Sequence, residues 1–179
     1  MTWIAVGIGV LIGLGLVTAL IGSLLPRDHT AQVALDVAAP PDRVWALVSN
    51  FAASAQWRPD VREVLMEPPA PAPAGGRVRF TEVTRQGKTP FEVMSQSPPV
   101  RQVVRVVDDG LPFGGTWTWE IAPAGRATRL TITEQGFIRN PVFRVMGRLF
   151  FKPTATLERY LRAVSAALQE SAEPVVVKS

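Results

Sequence analysis

The sequence contains no cysteine, and it has only one histidine, His29. Without cysteine the chain can form no disulfide bond, no thiolate nucleophile and no cysteine-ligated metal site. His29 comes before the first stretch that resembles a folded domain, so we expect no Ser-His-Asp triad and no histidine-bearing metal site inside the fold. We therefore predict no catalytic constellation, no metal and no cofactor.

Charged side chains are missing from the first part of the chain, between Thr2 and Pro26. An apolar run of about 20 residues is long enough for a helix to cross a bilayer. A cleaved signal peptide would carry basic residues before its apolar core, whereas the first basic residue here, Arg27, follows the run. We therefore predict a transmembrane anchor at residues 1–26, a short linker at residues 27–30 and a single-pass membrane protein.

The residues in and after this run indicate how the anchor is arranged. Arg27 and Arg43 follow it, and the preference of basic residues for the cytoplasmic side favours a cytoplasmic domain. Gly9 and Gly13 have the GxxxG spacing that lets membrane helices approach each other. Because glycine is common in such helices without that role, we expect at most weak self-association through this segment.

The rest of the chain predicts a single domain at residues 31–170. In "AQVALDVAA" the apolar residues alternate with polar ones, as in a half-buried strand. Six further strand candidates follow between Val61 and Phe137, separated by Pro- and Gly-rich turns, which indicates an antiparallel meander. The run "EPPAPAPAGG", residues 67–76, is typical of an extended loop.

Two helical segments frame the meander. The stretch "APPDRVWALVSNF" starts with two prolines suited to a first helical turn, and Val44, Trp45 and Val48 then share one apolar face. Helical spacing returns from Pro141 to Glu170, and Pro153 predicts a kink or a break within that segment. The tail, residues 171–179, is predicted to be flexible.

The order of these motifs resembles the SRPBCC superfamily, which includes START lipid-transfer domains, pollen-allergen-like proteins and polyketide cyclase/dehydrase-like proteins. The resemblance rests on "APPDRVWALVSNFAASAQWRP", "GTWTWEIAPAGRATRLTITEQG" and "LERYLRAVSAAL". It implies an α+β helix-grip fold, in which a curved antiparallel sheet of about six or seven strands surrounds a long C-terminal helix. It also implies a cavity between the sheet and that helix, which the small N-terminal helices help to close.

Strand alternation selects the residues that would line such a cavity. Trp117 and Trp119 share one face of a strand, and core packing explains them as well as ligand binding does. Glu82, Glu134 and Arg105 are polar residues in otherwise apolar strands, where they would either orient a ligand or lie at solvated strand ends. The complete predicted ligand-binding set is Phe80, Glu82, Arg105, Trp117, Trp119, Ile132, Glu134, Met146, Phe150 and Leu157.

These residues favour binding of a hydrophobic small molecule or lipid, with possible transfer to or from a membrane. One alternative is a polyketide cyclase/dehydratase-like enzyme that uses Glu82, Glu134 or Arg105, and another is a protein-binding module. The net charge is +4 with a pI of about 10.3, and Arg144, Arg148 and Lys152 recur along the terminal helix. That stripe is either a solvated face or a contact for anionic headgroups. Nucleic acid is not an expected partner, because no basic run with interleaved aromatic residues is present.

The predicted anchor can be tested by membrane extraction. If residues 1–26 span a bilayer, the full-length protein should stay in the pellet after alkaline carbonate treatment, whereas a chain that begins at Asp28 should be released. Recovery of a mature protein that begins near Leu25 in the soluble fraction would instead identify a cleaved signal sequence.

Overall fold

A computed structural model of the chain describes residues 2–68, 77–150 and 152–177. Most of the Pro-Ala run, for which an extended loop is predicted, lies outside the described residues. The helices are α1 (Thr2–Leu24), α2 (Pro41–Ser49), α3 (Ser54–Trp57), α4 (Pro141–Phe150) and α5 (Ala155–Ala167), and a single 3-10 turn spans Phe51–Ala53. The strands are β1 (Asp28–Val37), β2 (Val61–Met66), β3 (Arg79–Thr84), β4 (Lys88–Ser97), β5 (Arg101–Val106), β6 (Phe113–Ala124), β7 (Ala127–Ile138) and β8 (Val175–Val176).

The strands form one antiparallel sheet in the order β2-β3-β4-β5-β6-β7-β1-β8. The predicted α+β helix-grip class is confirmed, and the described sheet has eight strands instead of six or seven. The additional strand is β8, in the tail expected to be flexible, where Val175 and Val176 pair with Ala34 and Val33 of β1.

Strand β1 begins earlier than the sequence pattern predicts. Asp28, His29 and Thr30 pair with the last residues of β7, so that three residues of the predicted linker belong to the sheet. His29 lies opposite Gly136. The expectation that the only histidine precedes the domain is therefore wrong, because polar residues at the end of a strand can pair through their backbone without an apolar alternation to reveal them.

The early helix α2 closes one end of the sheet. Val44 and Val48 are buried in the core, and Trp45 packs against it. Gln102 of β5 is completely buried and donates a hydrogen bond to the carbonyl of Val48 at 3.1 Å. This contact satisfies a polar group near the end of the helix and fixes α2 to the middle of the sheet.

The C-terminal helical segment is broken, as Pro153 predicts. Helix α4 ends at Phe150 and α5 starts at Ala155. Between them, Lys152 Nζ and Thr154 Oγ1 each lie 2.6 Å from a carboxylate oxygen of Glu158 in α5, which stabilises the turn. Helix α5 packs on the sheet, whereas α4 lies against α1 and the end of β7.

The end of α1 is attached to α4. Arg144 Nη1 donates to the carbonyls of Gly22 and Leu25 at 3.1 and 3.3 Å, where the negative end of the α1 dipole favours a cation. Gly22 packs so closely on Pro141 that a Cβ atom would collide with the Pro141 carbonyl. The C-terminal turn of α1 is thus part of the folded unit.

In the described ranges, no helix has both the length and the apolar character needed to cross a membrane. The predicted transmembrane anchor is therefore not supported by the structure.

Two leucines in the C-terminal helices test this packing. Leu157 of α5 has an exposed fraction of 0%, whereas Leu149 of α4 is 69% exposed. Leu157→Ala should lower the free energy of unfolding by about 2 to 5 kcal/mol, because it leaves a cavity in the core. Leu149→Ala is the matched control and should change it by less than about 0.5 kcal/mol. Denaturant unfolding measures both, and equal losses would contradict the described burial of α5.

Candidate functional site

A cavity of about 510 Å³ lies between the concave face of the sheet and the first turns of α5. Its lining includes Gln86–Lys88, where the β3–β4 turn enters β4, and Leu111 and Phe113, where the β5–β6 connection enters β6. Thr156 and Arg159 of α5 line it from the helix side. No described residue of α4 lines the cavity.

The walls are largely aromatic. Phe80 of β3 stacks on Phe51 and on Phe91, with ring centroids 4.4 and 5.3 Å apart. On the opposite wall, Trp117 and Trp119 of β6 are 5.7 Å apart. Strand alternation places both indoles on the inner face, and large apolar rings supply most of the contact area for a hydrophobic ligand.

Tyr160 of α5 joins the helix to these walls. Its ring lies edge-on to Trp57 at 5.5 Å and to Trp117 at 5.9 Å, and it also contacts Trp119 at 5.9 Å between centroids. The residue is buried, and burial raises the pKa of its hydroxyl. Tyr160 therefore stays protonated at neutral pH and presents a neutral hydroxyl to the cavity.

A buried cluster of charges lies beside Tyr160. Arg58, which follows α3, donates from Nη1 to Glu82 Oε1 and from Nη2 to Asp60 Oδ2 at 3.0 Å. Its guanidinium carbon is 5.1 Å from the centroid of the Tyr160 ring, within the range of a cation–π contact. Two carboxylates and one aromatic face thus surround a single buried cation, and all four residues line the cavity.

Glu82 is the group in this cluster that is best suited to proton transfer. Burial raises the pKa of its carboxyl, and the positive charge of Arg58 offsets only part of that effect. A carboxyl group with a raised pKa in an apolar cavity can donate a hydrogen bond when protonated or accept a proton when ionised. The cluster can therefore orient a polar group of a ligand or exchange a proton with it.

A second polar group lies at another part of the cavity wall. Glu134 of β7 lines the cavity, and its Oε1 is 3.8 Å from His29 Nε2. The neighbouring carboxylate of Glu134 raises the pKa of His29. Gly136 makes room for this imidazole, because a Cβ atom there would lie 2.6 Å from His29 Cε1. Glu82 and Glu134 thus have separate basic partners.

The sequence matches the family described as "Polyketide cyclase / dehydrase and lipid transport" over residues 28–173. The chain belongs to this polyketide cyclase/dehydrase and lipid transport family. The match covers strands β1 to β7, the cavity and both C-terminal helices, and it agrees with the resemblance seen in the sequence. No curated protein matches the sequence.

Solved structures of this fold are similar at low sequence identity. The aromatase/cyclase ZhuI from Streptomyces sp. R1128 has a TM-score of 0.64 at 14% identity, covering 79% of this chain and 94% of that one. A START superfamily protein from Mycobacterium smegmatis has a TM-score of 0.56 at 18% identity, covering 80% and 98%. The di-domain aromatase/cyclase StfQ of the steffimycin biosynthetic pathway has a TM-score of 0.60 at 18% identity, covering 78% of this chain. The match spans only 50% of the StfQ chain. At these identities the similarity shows a shared fold.

Nine of the ten predicted ligand-binding residues of this family member fall into three groups. Phe80, Glu82, Trp117, Trp119 and Glu134 line the cavity. Ile132 and Leu157 lie in the closed core below it, each with no exposed surface. Arg105 and Met146 are exposed, and the side chain of Phe150 lies outside the described residues.

The predictions that Arg105 and Met146 line the cavity are wrong, and each error has a physical reason. Gln102 and Val104 of β5 face inward, so alternation turns Arg105 to the outer face. Met146 would approach the sheet only if the terminal helix were continuous, and the break at Pro153 instead directs α4 onto α1. These two residues do not contribute to the cavity.

Sequence reasoning missed Arg58, Asp60 and Tyr160. Arg58 and Asp60 follow a single helical turn, where neither the strand period nor the helix period applies. Tyr160 lies in the terminal segment with helical spacing, where nothing in the sequence distinguishes it from the other apolar positions. The signal that could have revealed the cluster is "WRPD", two opposite charges beside a tryptophan and a proline at the end of a short helix.

The raised pKa of Glu82 predicts a specific pH dependence. The contribution of Glu82 to the free energy of unfolding is present in full below its unfolded-state pKa and is lost as the pH rises through the higher folded-state pKa. The stability of the wild type relative to Glu82→Gln should therefore fall as the pH is raised from acid to neutral. Denaturant unfolding at a series of pH values measures this difference.

Glu92 provides a control of opposite sign. Arg77 and Arg79 hold the pKa of its carboxyl below the usual range. The stability of the wild type relative to Glu92→Gln should therefore rise as the pH increases through that lowered pKa. The same trend in both comparisons would contradict the assignment of Glu82.

Proposed function

We propose that this protein binds a hydrophobic small molecule or lipid in the cavity between the sheet and α5. The observation that carries the proposal is an open volume of about 510 Å³ with aromatic walls and one buried polar cluster. Ligand sites in proteins are typically concave, mostly apolar and about 300 to 1,000 Å³ in volume, with a few polar groups that fix the orientation of the ligand. The cavity has each of these properties.

The geometry also indicates the chemical character of the ligand. Trp117, Trp119 and Phe80 favour a flat or ring-containing apolar body. Arg58, Asp60 and Glu82 lie together beside this surface, and they would bind a hydroxyl or carbonyl group. The ligand would therefore be mainly hydrophobic with at least one oxygen at the end that reaches the cluster.

A cyclase/dehydratase-like activity is the second candidate, and the raised pKa of Glu82 is the observation that favours it. In such a reaction Glu82 would take a proton from the carbon next to a substrate carbonyl, or give one to a leaving hydroxyl. The neutral hydroxyl of Tyr160 would donate a hydrogen bond to the carbonyl oxygen. The cyclase/dehydrase part of the family description and the aromatase/cyclases ZhuI and StfQ support this candidate, whereas the lipid transport part of that description supports binding.

The alternative of a protein-binding module has less support. That alternative calls for a sheet and helix whose side chains fill the space between them, and here the space is open. Membrane anchoring through residues 1–26, with a cytoplasmic domain that exchanges its ligand with the bilayer, remains a proposal from the uncharged run of sequence.

Tryptophan fluorescence tests binding directly. A ligand in the cavity would contact Trp117, so titration with lipid, isoprenoid and aromatic polyketide compounds should quench the emission to saturation with at least one class. Trp117→Leu should weaken binding roughly tenfold or more, because an aromatic contact and apolar area are lost together. The matched control is Trp3→Leu, since Trp3 is 87% exposed at the start of α1. Absence of saturable quenching across the whole panel would contradict the proposal.

Glu82→Gln separates binding from catalysis. The amide keeps the size of the carboxyl but cannot take up or release a proton at neutral pH. For a binding protein, this variant should retain affinity within a few-fold and the wild type should return the ligand unchanged, as followed by chromatography. For an enzyme, the wild type should convert a polyketide substrate and the variant should lose that turnover while it still binds.

A further inference from the structure

A second cavity lies outside the ligand site, at the junction of α1, α4 and the start of β1. Its volume is about 250 Å³. Leu25, Pro26, Ile138 and Pro153 provide its apolar surface. The charged and titratable residues around it are Arg27, Asp28, His29, Arg144 and Arg148.

The charges around this junction cavity are mainly positive. Three arginines line it, whereas Asp28 is the single carboxylate in the lining. His29 already contacts Glu134, at 3.8 Å. The guanidinium of Arg144 is not available to an external anion, because it donates to backbone carbonyls at the end of α1 and between β7 and α4. Arg27 and Arg148 have no salt bridge to any described residue, and both side chains are exposed. The junction therefore offers two arginines that can bind an anion.

The two helices that meet at this cavity both expose large apolar side chains. On α4, Phe143, Met146 and Leu149 are 50%, 42% and 69% exposed. On α1, exposed leucine and isoleucine side chains extend from Leu24 back to Ile12. Arg144 joins the C-terminal end of α1 to α4, so both helices meet at the basic cavity.

The pair of exposed arginines at the junction cavity, Arg27 and Arg148, differs from the basic stripe predicted on the terminal helix. In the structure Arg144 is used internally and Lys152 is paired with Glu158, which leaves Arg148 as the only member of the stripe open to an external anion. Arg27 also lines the cavity, and it supplies the second exposed positive charge that Arg144 and Lys152 do not provide. An anion bound here would face both arginines while its attached apolar groups follow the helices.

We propose that the junction cavity binds the anionic headgroup of a membrane phospholipid, with Arg27 and Arg148 as the phosphate-binding residues and α1 and α4 as the surface for the acyl chains. Charge complementarity selects an anionic headgroup, and guanidinium groups bind phosphate oxygens through paired N–H donors. The exposed apolar side chains of α1 and α4 favour a lipid over a free anion. The site is separate from the cavity of the proposed function and does not depend on it.

Native mass spectrometry of the full-length protein in a non-ionic detergent tests the proposal. Phosphatidylglycerol and phosphatidylcholine are added in turn, and the retained lipid is measured. We expect preferential retention of phosphatidylglycerol. Arg148→Gln and Arg27→Gln should each reduce that preference roughly fivefold, the effect of one arginine at an anionic lipid surface. Arg148→Lys should keep most of it.

Arg126→Gln is the matched control, because Arg126 is an exposed arginine in the β6–β7 turn, at the opposite end of these strands from α4. Equal retention of the two lipids, or an equal loss in Arg126→Gln, would overturn the proposal. Displacement of phosphatidylglycerol by inorganic phosphate at the same free concentration would reassign the site to a free anion. Loss of the preference in Trp117→Leu but not in Arg148→Gln would place the lipid in the ligand cavity.

Discussion

The break in the terminal helix at Pro153 determines where this protein can have a cavity. A proline in a helix has no N–H group to donate and collides with the preceding turn, so α4 and α5 cannot form one rod. Helix α5 packs into the concave face of the sheet through Leu157, Leu161 and Val164, which are completely buried. Helix α4 turns away onto α1 and leaves the space beyond the first turn of α5 open. The same break therefore creates both the ligand cavity and the junction cavity.

The charged cluster at the edge of the ligand cavity is held in place by its aromatic neighbours. Burying Arg58 costs free energy, and this cost is offset only if its N–H groups are paired, which Glu82 and Asp60 achieve. Tyr160 supports the guanidinium from the helix, and Trp57 packs against Tyr160 from α3. Because its surroundings are apolar, Glu82 has a raised pKa. A carboxylate in a surface ion pair with an arginine has no such increase, so Glu82 is better suited to contact a polar group of a ligand.

Local patterns predict the parts of the site that lie on regular elements. Trp117 and Trp119 could be assigned to the inner face of β6 because side chains alternate strictly along a strand. Glu82 and Glu134 follow from the same rule. The prediction for Met146 is wrong because helical spacing identifies an apolar face without showing what covers it. Here the described part of α4 packs on α1 and β7. The prediction that His29 precedes the domain is wrong because its backbone pairing with Gly136 leaves no pattern in the side chains.

The sequence by itself determined the α+β class, the meander, the inward faces of β3, β6 and β7 and the break in the terminal helix. These features depend on residue periodicity and on the covalent geometry of proline, which are properties of short segments. Only the tertiary structure decided that Arg58, Glu82 and Tyr160 meet, since they come from a loop, a strand and a helix separated by many residues. The same holds for Arg27 and Arg148 at the junction cavity. Contacts between distant segments depend on how the elements pack, and no local period encodes them.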